Sequence, residues 1–161
     1  MTVTTRAAEL AANFERLNND AIGLVTGCTD EQWRRTTHAE GWTVAATAHH
    51  LAIVQRAFIG MVARLAAGET YTPTMSMDEI HRGNAEHAAE FAEADRPETL
   101  EILHSSGAQM ASRIRSIDDA GLDRIAGTFG GNELTVAQVI EYVVIGHARE
   151  HVTSIKETLA V

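Results

Sequence analysis

Two histidines four residues apart, His147 and His151, lie in the segment His147-Ala148-Arg149-Glu150-His151, and a third, His50, follows His49 much earlier in the chain. On a helix, positions four apart share a face and sit about one turn apart. Two imidazoles placed that way can hold one metal ion from the same side. His147 and His151 also continue an apolar stripe made of Val136, Val139, Ile140, Val143 and Val144, with Ile155 beyond them. Polar rings on a buried face need partners. A backbone carbonyl for each ring is one solution. An ion shared with a histidine from a facing helix is the other, and helix bundles host metals in this way.

His49 and His50 point about 100° apart on a helix. His50 shares a face with Val54, Ala57, Phe58, Met61 and Leu65, whereas His49 aligns with Ala45, Ala52 and Arg56. The apolar face selects His50 as the inward ring. The spacing therefore predicts a site formed by His50, His147 and His151.

The elements that must position these rings read as helices. Leu10, Phe14, Leu17, Ala21 and Leu24 recur at threes and fours, predicting a helix from about Thr5 to Val25 that Gly27 ends. Thr29 to Gln32 has the capping-box pattern of a short helix. Thr43 can cap the helix that carries His50, which runs to Gly68, and Tyr71 to Thr74 reads as a loop. Ser76 to Glu79 is a second capping box, opening a helix to about Ala94. Asp95 and Pro97 start another, with Leu100, Leu103, Gly107, Met110, Ile114 and Ile117 on one face. Gly130-Gly131-Asn132 marks a turn, and Thr135 to Gln138 is a third capping box, opening a last helix that reaches about Leu159. Four long amphipathic helices with short connections predict an all-α protein, a four-helix bundle with additional short helices.

Other chemistry-bearing residues read less directly. Glu150 lies about 60° from His147 and about 100° from His151 around a helix, so it flanks the pair as an outer contact, an exposed charge or a base. His104 borders an apolar stripe and is a candidate fourth ligand or a surface residue. His81 and His87 read as surface or interface residues, and His38 lies in a loop. Trp42 reads as a buried ring tying its loop to the bundle, with substrate contact as the other option. Tyr142 and Arg56 are open candidates for a pocket.

The totals narrow the class. A chain of 161 residues suits one domain spanning 1–161. Its formal charge of −9, with 13 basic residues scattered among 22 acidic ones, argues against nucleic acid as a partner. Cys28 is the single cysteine, so no intrachain disulfide forms, which fits a reducing compartment; free cysteines of this kind are mostly small buried hydrophobes. No stretch reads as a signal peptide or a membrane span, so the expected location is cytoplasmic.

The segment Gly41 to Leu51 and the motif from His147 to His151 resemble the DinB/YfiT-like superfamily of metalloenzymes. In that family a Trp-Ser/Thr pair opens the second helix, and a His-Leu pair begins eight residues after the tryptophan. Trp42, Thr43, His50 and Leu51 match it. The family's last helix carries H-x-x-x-H, often as H-x-x-E-H, matched by His147, Glu150 and His151. The stretch around Asn84 and the helix after Pro97 are also similar, so the resemblance covers nearly the whole chain. It implies a bundle of DinB/YfiT type with three histidines around zinc or nickel and one open position. It implies kinship with S-transferases that use mycothiol, bacillithiol or glutathione, and with the metal-binding part of mycothiol-dependent maleylpyruvate isomerase. The expected function is metal-dependent activation of a small thiol, mycothiol-like, for transfer to an electrophile. The alternative is a non-catalytic metal-binding or stress-response protein of the same fold. Relatives are often dimers, so a homodimer is a further expectation.

Overall fold

The computed structural model describes residues 5–160; residues 1–4 of the N-terminal segment considered above, and residue 161, lie outside them. Helices dominate: α1 (Arg6–Gly27), α2 (Asp30–Trp33), α3 (Val44–Ala66), α4 (Met77–Glu90), α5 (Arg96–Arg115) and α6 (Asp119–Asp123) precede a two-stranded hairpin of β1 (Ile125–Phe129) and β2 (Asn132–Thr135). The last long helix comes in three parts: α7 (Val136–Val139), a π-helical turn over Ile140–Ile145, and α8 (Gly146–Leu159). The expected bundle with additional short helices is the architecture found. Helix α5 packs on both α1 and α3, and α8 packs on the same two helices.

The caps act where the side chains suggested. Thr5, Thr29, Thr43, Ser76, Asp95 and Thr135 each accept a bond from a backbone N–H in the first turn that follows. Thr29, Ser76 and Thr135 form complete capping boxes. Helix α4 ends at Glu90, earlier than the expected Ala94, because Phe91 leaves helical geometry and caps it.

Two apolar clusters fill the bundle. One gathers Phe14, Leu65, Met110, Ile114, Ile140 and Ile145; the other gathers Val25, Trp33, Leu51, Leu103, Val152 and Ile155. A buried polar layer lies midway along α1, α3 and α5. Gln55 Nε2 donates to Asn18 Oδ1 at 3.0 Å and to Ser106 Oγ at 2.8 Å, and Asn18 Nδ2 donates to the Leu103 carbonyl at 3.2 Å. Gly107 makes room for it: a Cβ there would sit 2.1 Å from Asn18 Nδ2.

The hairpin was not foreseen beyond its turn. Gly130 and Gly131 both take positive φ, which a two-residue hairpin loop requires. Register shifts between Ile125 and Gly127, and the Ala126 carbonyl accepts from Tyr71 N–H at 2.7 Å. Gly127 has φ 153°, and a Cβ there would meet the Tyr71 carbonyl oxygen at 1.9 Å. The loop after α3 is thereby stitched to β1.

The π-helical turn corrects the reading of the last helix. The Gly146 N–H donates to the Glu141 carbonyl, five residues back, so this turn takes up more residues than an α-turn. The buried stripe slips by one position. Val144, Ile145, Ala148, Val152 and Ile155 form the core beyond it, while Val143 and His147 move to the half-buried edge. Helix α3 departs from expectation too. Val44 to Ala52 is buried all round, so His49 is as enclosed as His50, and Ala57 is exposed.

Candidate metal centre

Two helices and one loop converge on the histidines. Thr43 fixes the start of α3: its hydroxyl accepts from Ala46 N–H at 3.0 Å and donates to the Ala92 carbonyl at 2.8 Å. Two turns on, His50 points across to α8. The π-helical turn sets the phase of α8, which carries His147 and His151 toward His50. One ring nitrogen from each of the three lies within 4.8 Å of the others, and among the described residues no other group of three or more His, Cys, Asp or Glu side chains converges this way. His50 Nε2 and His147 Nε2 are 3.1 Å apart. Two nitrogens at 2.0–2.1 Å from one tetrahedral ion would be about 3.3 Å apart, so the pair stands near the separation of shared ligands.

Two of the rings, His147 and His50, are held neutral. Burial, followed by the neighbouring His151 and His50, pushes the His147 pKa down to about 3. Burial, then His151 and His87, brings His50 to about 4. Both are neutral at pH 7, as metal binding requires.

Around the triad stands a second set of contacts. His151 Nδ1 lies 2.8 Å from Glu40 Oε1, which leaves Nε2 facing the other histidines. Ser154 Oγ donates to Glu40 Oε2. Burial raises the Glu40 pKa, but hydrogen bonds from His151, Ser154 and Thr37 outweigh it and bring the carboxyl to about 2. A carboxylate behind a ligating imidazole fixes its tautomer and its aim. Trp42 packs over the site, its ring 5.3 Å from His50 and 6.3 Å from His151, and Phe58 meets His147 edge-on at 5.6 Å.

Glu40 was missed in the sequence, because a loop carboxylate carries no periodicity; its place two residues before Trp42 was the available signal. Glu150 is exposed and takes no part in the cluster, and His104, His38 and His81 are exposed as well. His87 corrects the surface reading. Its Nε2 lies 3.1 Å from His49 Nδ1; His49 stacks on Phe91, and His87 packs against the same ring at a tilt. Tyr142 is 62% exposed, lining a different depression, and Arg56 is exposed. Cys28 is buried, and burial raises its pKa while Arg96 opposes.

A cavity of about 480 Å³ opens beside the triad, with His50 and His147 in its wall. Phe58, Met61, Ile80, Phe129 and Val143 line it, with Tyr71 and Met75 from the loop after α3. No helix among the described residues is long and apolar enough to cross a membrane.

Two solved structures share the fold. YfiT from Bacillus subtilis, described as a probable metal-dependent hydrolase with an unusual four-helix bundle topology, aligns with a TM-score of 0.74 at 18% identity, over 98% of this chain and 88% of that one. The mycothiol-dependent maleylpyruvate isomerase aligns with a TM-score of 0.71 at 13% identity, over 96% of this chain and 63% of that one. This chain thus spans less than two thirds of the isomerase. No curated protein matches the chain by sequence. The family model of the DinB superfamily matches residues 13–155, and the chain belongs to that superfamily.

Proposed function

We propose that the chain is a metal-dependent enzyme that activates a low-molecular-weight thiol, mycothiol-like, for attack on a small electrophile. His50, His147 and His151 are the ligands of one divalent ion, zinc or nickel, and the whole chain acts as one DinB-like domain. The observation that carries the reading is a triad of imidazoles, two of them in the wall of a cavity, with no fourth His, Cys, Asp or Glu joining them among the described residues. Three protein ligands with a free position mark catalytic sites more than structural ones. The mycothiol dependence named for the structurally similar isomerase supports a thiol as cosubstrate.

When bound, the ion would supply the charge that ionises a ligating thiol near neutral pH. The chain's own residues do the rest. His50 and His147 arrive unprotonated and lose nothing to proton competition at pH 7. Glu40 takes the Nδ1 proton of His151 as a hydrogen bond and keeps the ring turned inward. Trp42 and Phe58 shield two sides of the cluster from water. Cys28, buried in the core with a raised pKa, is no substitute nucleophile, so the thiol comes from outside. Small thiols are kept reduced in the cytoplasm, which fits that location.

The test is elemental analysis of protein purified without a histidine tag, followed by assays with monochlorobimane and mycothiol, bacillithiol or glutathione. The expected result is about one ion per chain, as three ligands on one ion require, with a thioether product identified by mass. Absence of metal overturns the site. Full metal with no thioether from any thiol overturns the transferase and leaves a metal-binding protein without turnover.

A further inference from the structure

We infer that, away from the metal position, the cavity beside the triad takes an uncharged, largely apolar substrate group and turns away carboxylates. This deepens the proposed function, resting on it only for where the reacting end of the substrate points. The preference itself follows from the walls.

Among the described residues no lysine, arginine, aspartate or glutamate lines the cavity. Apart from His50 and His147, its polar side chains are Tyr71, Thr74 and Asn84, none of them charged at neutral pH. Away from the metal position, an anion entering would give up its hydration with no cation to receive it. The chain's net charge of −9 opposes anions further. An apolar group gains with every atom that leaves water. Each buried methylene is worth about fourfold in Kd. A volume of about 480 Å³ falls in the range of sites for small organic ligands.

The rim favours a range of shapes over one. Met75 is 57% exposed, and an unbranched thioether adapts to what it touches. The loop that carries it is anchored at Tyr71, whose N–H is bonded to the Ala126 carbonyl. Selection therefore falls on polarity more than on outline. Because the cavity shares His50 and His147 with the triad, a ligand in it abuts the metal position, and no separate channel is needed.

The experiment titrates N-phenyl-1-naphthylamine, an uncharged probe whose fluorescence rises on burial, into the metal-free full chain. 1-Octanol and octanoate then compete with it. The expected result is displacement by octanol at a concentration at least about tenfold below that of octanoate, the cost of moving a carboxylate out of water. Two variants place the binding. Gly83 lines the cavity from α4 with open space where a Cβ would go, so Gly83→Trp should fill it and abolish probe binding while metal content stays unchanged. Val143→Lys should shift the preference toward octanoate. Equal competition by the two ligands, or probe binding that survives both variants, overturns the inference. Because the readout needs no metal, a failed metal analysis and a failed cavity give different results.

Discussion

Glu40 and His151 are 111 residues apart in sequence, yet their side chains meet at 2.8 Å, carboxylate oxygen to Nδ1. The loop before α3 thus reaches the second turn of α8 and decides which nitrogen of His151 faces the other two rings. Replacing the carboxylate by its neutral isostere keeps the shape and removes the charge-assisted bond. Glu40→Gln should weaken zinc or nickel binding about 10–100-fold, the usual effect of losing such a partner. Competition against a chelating dye measures it. Unchanged affinity would mean that Glu40 only ties down its loop.

Removing two of the proposed ligands is the stronger perturbation. His147→Ala with His151→Ala should leave protein that retains no metal after dialysis. Metal at about 100 times its Kd should stabilise the unaltered chain by roughly 2.7 kcal/mol. That corresponds to a thermal midpoint raised by roughly 5–10 °C for a chain of this size. The double variant should show no such rise. A rise of equal size in both proteins would place the ion elsewhere.

How far the sequence could be read depended on periodicity. His50, His147 and His151 stand on helices whose apolar neighbours repeat at threes and fours, so their convergence was legible before any coordinates. Residues outside that regularity were not. Glu40 lies in a loop, and its bond to His151 is a long-range contact with no local signature. His87 sits on a helix with a mostly exposed surface, and only the packing of α4 on α3 shows that its ring meets His49. The slip of the buried stripe after Ile140 was hidden because a π-helical turn has the same apolar residues as the α-turn it replaces. The hairpin escaped because its strands are short and their alternation is broken at Ala126.

The polar layer in the bundle gives a stability test whose sign runs against propensity. Alanine normally replaces a helical glycine with a gain of up to about 1 kcal/mol. Gly60→Ala in α3, with open space around it, should follow that rule. Gly107→Ala should do the reverse, because its Cβ would collide with Asn18 and break the bonds to Leu103 and Gln55. Overpacking of this kind costs about 1–3 kcal/mol. Urea unfolding of the two variants beside the parent decides it, and a stabilised Gly107→Ala would show that Asn18 repacks freely.

Cys28 supplies a pH prediction. Burial raises its pKa above the ordinary thiol value of 9.0, so less thiolate is present at any given pH than in a free cysteine. The folded chain should react slowly with Ellman's reagent at pH 8, and faster only as the pH climbs past 9 or once urea opens the core. Rapid reaction of the folded protein at pH 8 would contradict the burial of the thiol.

The π-helical turn over Ile140–Ile145 has one more effect. It makes the aim of two imidazoles depend on how many residues precede them, and hardly at all on which ones. Exchanging one aliphatic side chain for another within it leaves the bearing of His147 and His151 intact. Deleting a single residue would let the helix wind regularly and swing both rings by about 100°, a quarter-circle away from His50. For this segment, chain length specifies where the two rings point.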